Sequence, residues 1–192
     1  TFASFVHREV LEPLGMKDTI VPEPGMQPQA AAVRYGKKTR LRDFSTSMVP
    51  AAEIYSSASD LARFAVFHLK QELSGAQKIL SDTSIDEMQT CTIPIRFFHY
   101  SYGLGWSVGH DKKGRKHVFH GGGFAGCDSF ATLLPEQQVA VVFLSNKNRK
   151  WPGTAVSQDI VERTLAILVD EEPETLRINY DRSTSQSEKS FK

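Results

Sequence analysis

The run His120-Gly-Gly-Gly-Phe-Ala-Gly126 concentrates the residue types best able to do chemistry in this chain. Glycines let a backbone approach a ligand closely, and their N–H groups can point at an oxygen on which charge develops. A histidine at the head of such a run can donate, accept or carry a proton near neutral pH. A glycine-rich hairpin turn has the same composition, so the run alone also reads as a plain turn between strands. Two other spacings compete. Gly105-Trp-Ser-Val-Gly109 matches G-x-S-x-G, a nucleophile elbow that works only where a strand turns sharply into a helix. A polar turn, His110-Asp-Lys-Lys-Gly114, follows it and leads to another strand, so Ser107 is read as an ordinary strand residue. His117 and His120 lie three apart, which in a strand directs them to opposite faces, and no third ligand cluster adjoins them. Neither a metal nor an organic cofactor is implied.

Positioning the glycine run falls to an antiparallel meander. Strands are expected near Gly103–Val108, Lys116–His120, Asp128–Leu134 and Val139–Ser145, with turns at Asp111–Gly114, Gly121–Gly126 and Pro135–Gln138. Helices should flank it. Phe2, Phe5, Val6 and Val10 share one helical face before Pro13 and Gly15 stop the segment. Ser57-Ala-Ser-Asp60 has capping-box spacing and opens a helix with Leu61, Phe64, Ala65 and Leu69 on its apolar face. His68 lies near that face and is read as packing. A second box, Ser84-Ile-Asp-Glu87, predicts a shorter helix ending near Cys91. Val156, Ile160, Val161, Leu165 and Leu168 outline a last amphipathic helix. Between Pro22 and Pro50 no period is sustained, which predicts a long surface excursion of the kind usually kept for function. Helices, then a meander, then a helix make an α+β pattern over residues 1–170. Residues 171–192 have little to bury and are expected to form a polar tail or linker.

Composition narrows the partners. Of 192 residues 40% are apolar and 23% charged, which excludes a wholly disordered chain or a fibre. Basic residues number 23 against 22 acidic ones, so no electrostatic footprint for nucleic acid is present. No apolar window is long enough to span a membrane. The two cysteines, Cys91 and Cys127, are too far apart for a CxxC signature and are read as unpaired packing thiols, with a disulfide between them as the alternative.

Several strings occur in an order that resembles serine hydrolases of the class C β-lactamase and penicillin-binding-protein-like family. They are Pro13-Leu-Gly-Met16 with Asp18-Thr19; Val49-Pro-Ala-Ala-Glu-Ile-Tyr-Ser-Ser-Ala-Ser-Asp-Leu-Ala-Arg-Phe64; Tyr102-Gly-Leu-Gly-Trp106; His120-Gly-Gly122; and Pro135-Glu136 followed by Val141-Val-Phe-Leu-Ser-Asn-Lys147. The resemblance implies an α+β fold of the β-lactamase/D,D-peptidase type, its antiparallel sheet flanked by helices and only partly present. The family carries a Ser-x-x-Lys nucleophile, a Tyr-x-Asn and a Lys-Thr-Gly or His-x-Gly strand. His120-Gly121-Gly122 resembles the third, and the sequence contains neither of the first two. Both precede the Pro-Leu-Gly-Met string in the family, so the chain is expected to be the C-terminal portion of such an enzyme, without nucleophile or general base and inactive alone.

The resemblance assigns His120, Gly122 and Gly123 to the pocket strand, with the Gly123 N–H as half of an oxyanion hole and His120 positioning or electrostatically aiding substrate. Gly121 stands where many β-lactamases carry a hydroxyl residue that helps bind a carboxylate, which tilts the expectation toward an esterase or D-amino-acid peptidase. A small-molecule or peptide amide or ester would be the substrate, with export to the periplasm or exterior. The alternative is a binding or regulatory module that keeps the scaffold without the chemistry. Val139–Leu144 is an uninterrupted apolar run, the pattern of a strand covered on both faces, and it is the last strand of the meander. It is therefore expected to pair with the missing N-terminal half, with a second copy of the chain, or with a rearranged element of the same chain.

Overall fold

A computed structural model describes residues 1–23, 25–26, 28–29, 31–36, 39–41, 48–90, 93–95, 100–124, 126–147 and 154–177. Six antiparallel strands form one sheet in chain order: β1 (Ile93–Ile95), β2 (Tyr100–Tyr102), β3 (Ser107–His110), β4 (Lys116–Phe124), β5 (Cys127–Leu134) and β6 (Val139–Ser145). The fold is α+β. Successive residues of β4 and β5 serve opposite faces, as strand geometry demands. Phe119, Phe130 and Leu134 pack on one side against Val161, Leu165 and Ala166 of α6 (Thr154–Leu168). Val118 and Leu133 pack on the other with Trp106 and with Leu69, which ends α4 (Ala58–His68). Both α4 and α6 also cover β6, which explains its unbroken apolar run. β6 is the terminal strand of the sheet and pairs with β5 alone among the described strands.

The amino-terminal helix departs from the expected form in two ways. It continues past Leu11, as α1 (Phe2–Val6), one wider π turn (His7–Leu11) and α2 (Glu12–Leu14). Pro13 has no N–H and its ring crowds the carbonyl four residues back, and the wider turn accommodates both. Its packed face is Val6, Val10, Leu11 and Leu14, which meet Met16, Phe67 and Ile85, whereas Phe2 and Phe5 are exposed. The packed face of α6 is likewise rotated: Val161 and Leu165 are buried with Ala166, while Ile160 and Leu168 face out.

α4 begins where its cap predicts, the Ser57 hydroxyl accepting the Asp60 N–H at 3.1 Å. The next helix, α5 (Asp82–Met88), starts one turn before the expected box, because Ser81 caps Ser84 instead of Ser84 capping Glu87. His68 is buried among the rings of Phe64, Phe67 and Trp106, as packing predicts. Of the long excursion, α3 (Val49–Ala52) and short bridges of Ile20 with Tyr55 and of Tyr35 with Arg40 and Lys147 are described. Residues 171–177, which composition assigns to a tail, pack on the fold. Leu176 of α7 (Pro173–Leu176) is fully buried in the α6 core, and Glu171 pairs with Lys113 and Arg115 in the β3–β4 turn. Cys127 opens β5 and is partly buried, and Cys91 lies outside the described residues.

Candidate active site

The expected turn over Gly121–Gly126 is mostly strand. β4 runs through Gly121, Gly122 and Gly123 to Phe124, each in register with β5, from His120 opposite Ala131 to Phe124 opposite Cys127. The reversal falls in the two residues after Phe124, where Gly126 has φ +79°. A side chain there would be strained, and its Cβ would meet Leu41, Arg34 and the Tyr35 backbone. Those residues belong to the long excursion, which is fastened beside the hairpin tip. The Tyr35 N–H donates to the Asn146 carbonyl at 2.9 Å and the Asn146 amide donates to the Val33 carbonyl at 2.8 Å.

On its other side β4 outruns its neighbour. The β3–β4 ladder ends at Ser107 opposite Phe119, so beyond Phe119 the described ladder partners of β4 are all on β5. A two-residue reversal makes Phe124 and Cys127 the narrow hydrogen-bonded pair, and bonded and non-bonded pairs alternate from there. Gly122 is therefore bonded to β5, while Gly121 and Gly123 turn their N–H and C=O groups toward the open edge. Gly122 is confined from the β5 side: a Cβ on it would lie 2.7 Å from the Ser129 hydroxyl, which donates to the Gly122 carbonyl.

His120 heads this open stretch. Its Nε2 lies 3.0 Å from the Tyr102 hydroxyl, with the rings edge to face at 70° and centroids 6.2 Å apart. Desolvation lowers its pKa below the ordinary histidine value, so the ring is neutral at pH 7. On the adjoining β5 residue Asp128, in register with Gly123, burial raises the carboxyl pKa while the Ser157 hydroxyl of α6 bonds to it.

The competing spacings resolve as their geometry requires. Ser107 opens β3 and is buried, with strand and not helix after it, so the elbow has no structural counterpart. His117 is buried with Nε2 3.4 Å from Asp111 Oδ2, on the face opposite His120. Asp111 in turn holds the Arg115 guanidinium at 2.7 Å, and that hydrogen bond helps keep its pKa below the usual range against the opposing pull of burial. Among the described residues no group of three or more His, Cys, Asp or Glu could hold a metal ion. Tyr102 and Asp128 are the site neighbours that sequence reasoning did not single out. The Tyr-Gly-Leu-Gly-Trp string contained Tyr102, but nothing in its spacing links it to a histidine eighteen residues on. Asp128 looks like a routine polar strand residue until the register sets it beside Gly123.

The sheet lies between α4 and α6, and its glycine-rich strand outruns β3 at one edge. The structure is similar to the octameric penicillin-binding protein homologue from Pyrococcus abyssi, with TM-score 0.71 and 21% identity, covering 91% of this chain and 39% of that one. It is also similar to a class C beta-lactamase, with TM-score 0.69 and 16% identity over 88% of this chain and 52% of that one. A family model described as Beta-lactamase matches residues 1–163, and the chain belongs to that family. A human protein named "Putative beta-lactamase-like 1" is 28% identical over 150 residues, 74% of this chain and 29% of its own length. The chain thus spans about three tenths of that relative and two fifths of the Pyrococcus abyssi homologue. No helix among the described residues is long and apolar enough to cross a membrane.

Proposed function

We propose that this chain supplies the pocket strand of a β-lactamase-related serine hydrolase that acts on an amide or ester through an acyl-enzyme. In this reading the serine nucleophile and its base come from a portion of the protein outside this sequence. One observation carries it: β4 outruns β3, so Gly121 and Gly123 present their backbone groups to an open edge beside His120. A substrate carbonyl lying along that edge meets the Gly123 N–H, which with the nucleophile's own N–H stabilises the oxyanion of the tetrahedral intermediate. Gly122 keeps the strand close to its neighbour, and His120 contacts the substrate as a neutral polar group. A D-stereospecific amidohydrolase from Streptomyces shares the fold with TM-score 0.59 and 21% identity, and its name states amide hydrolysis, one of the two reactions in this reading. Export belongs to the same reading. The open edge of β6 pairs with the nucleophile-bearing portion or with a second copy, which would bury a row of unpaired backbone groups.

The sequence has no Ser-x-x-Lys, which favours a second reading, a binding module that retains the scaffold. The test compares hydrolysis of a chromogenic cephalosporin and of short-chain nitrophenyl esters by this chain and by a polypeptide that joins it to a Ser-x-x-Lys segment of the same gene. The chain alone should be inactive, and the longer polypeptide should turn over with loss of activity on substitution of its serine. Activity of the chain alone that disappears in Ser107→Ala would overturn the assignment of the site. Absence of any such segment upstream would favour the module.

A further inference from the structure

Tyr102 closes β2, and its phenol passes the first residue of β3 to reach His120 on the strand beyond. A bond of 3.0 Å between a phenol and an imidazole can run either way, but the two directions are unequal. The phenol is a weak acid and the imidazole nitrogen a far better base than a phenol oxygen, so O–H···N is the stronger arrangement. A neutral imidazole has one donor and one acceptor. With Nε2 accepting from Tyr102, the proton must sit on Nδ1, and Nδ1 has no protein partner among the described residues.

We propose that Tyr102 is a positioning residue for His120: its hydroxyl donates to Nε2, fixes the Nδ1–H tautomer and makes that Nδ1–H the group a substrate meets. The inference rests on the reading of His120 as a pocket residue. It adds that the pocket strand offers a neutral donor, matched to a carbonyl or carboxylate oxygen on the acyl substrate. It also gives the Tyr-Gly-Leu-Gly-Trp string a function, because its first residue reaches the site while Trp106 anchors in the core.

The test is nitrogen-15 NMR of the histidine rings in this chain, with the His120 signals assigned by their loss in His120→Gln. In the unsubstituted protein the protonated nitrogen should be Nδ1, with a pKa below that of an ordinary histidine. In Tyr102→Phe, which keeps the ring, the ratio of Nδ1–H to Nε2–H tautomer should fall about five- to tenfold, the value of one neutral hydrogen bond. The pKa of His120 should rise in the same variant, because a bond to the unprotonated nitrogen is lost. An Nε2–H tautomer in the unsubstituted protein would overturn the inference, whatever the variant does. So would an unchanged tautomer ratio in a folded Tyr102→Phe. These readouts need no turnover. Failure of the pocket reading appears separately, as unchanged kinetics of His120→Ala in the longer polypeptide.

Discussion

Asp60 and His120 both belong to ordered strings that mark the family, yet they are embedded in opposite ways. Asp60 is almost wholly buried, and its carboxylate receives the Asp18 N–H at 2.8 Å and the Thr19 hydroxyl at 2.7 Å. One turn on, Arg63 donates from Nε to the Leu14 carbonyl at 2.7 Å and from a terminal nitrogen to the Ser74 carbonyl at 3.3 Å. The Pro-Leu-Gly-Met and Ser-Asp-Leu-Ala-Arg strings are thus two halves of one clamp between α2 and α4. At Gly121 and Gly123 the same backbone chemistry has no ladder partner among the described strands, because the β3–β4 ladder ends at Phe119. Groups satisfied inside the chain stabilise it, and groups held rigid but unanswered are available to a ligand. A family string is therefore no guide to function until its hydrogen bonds have been followed to their ends.

Breaking the clamp should have the largest effect. Asp60→Ala removes the acceptor of two bonds and leaves the Asp18 N–H unmet, while the Thr19 hydroxyl keeps Ser56, at a cost of roughly 2–3 kcal/mol. A fall of that size in urea-unfolding free energy is expected, with little change in the slope. A loss below about 1 kcal/mol would show that water replaces the carboxylate and that the clamp is decorative.

The core beside the clamp should be sensitive to acid. His68 is buried, its Nδ1 has no hydrogen-bond partner, and desolvation lowers its pKa from 6.5 to about 4. Because the folded value lies below the unfolded one, the stabilisation is complete above pH 6.5 and is lost as pH falls from there toward 4. The loss amounts to roughly 3 kcal/mol across that interval. His117, lowered chiefly by its own burial, adds a loss of the same sign. Stability measured against pH should therefore flatten in His68→Phe relative to the unsubstituted chain. Parallel curves would place the titration elsewhere.

On the strand side the expected effect is on turnover. In a polypeptide that carries the nucleophile, His120→Ala should lower kcat about 10²-fold while leaving stability nearly unchanged, since the described side-chain contacts of His120 are with Tyr102 at the sheet edge and not with the core. The reverse pattern, intact kinetics with a lower melting temperature, would make His120 part of the scaffold and erase the contrast with Asp60.

Much of this contrast was legible in the sequence, and what escaped it has a common cause. Alternation and turn residues located β5 and β6 to within a residue, and the Ser57 cap fixed the start of α4, because these are local signals. Asp60 satisfied the spacing of a capping box, but its carboxylate is spent on Asp18 and Thr19, forty residues away. The glycine run read as a turn because glycine is poor in strands, and cross-strand pairing with β5 overrides that preference. Leu176 looked like part of a tail because the one apolar residue that anchors it is surrounded by charge. In each case the missing information was a tertiary partner, which no window along the chain contains.

The smallest expected effect asks whether the strand side carries a stability cost that the clamp does not. Asp128 is buried, faces Gly123 in register, and has one carboxylate oxygen without a hydrogen-bond partner among the described residues. Burial raises its pKa, against the weaker pull of the Ser157 hydroxyl and the Ser129 backbone N–H. The folded state therefore keeps a proton at pH values where the unfolded chain has already lost it. Stability falls as pH rises from the ordinary carboxylate range to the raised value, and the penalty is complete above it. Asp128→Asn removes the charge at nearly constant shape. It should match the unsubstituted chain in acid and exceed it by about 1 kcal/mol at neutral pH, where a buried carboxylate with an unmet oxygen is most costly. Equal stability at every pH would mean that solvent reaches the carboxylate. Lower stability at neutral pH would mean that the ionised group is held by its neighbours, as Asp60 is, and the two regions would then follow the same rule.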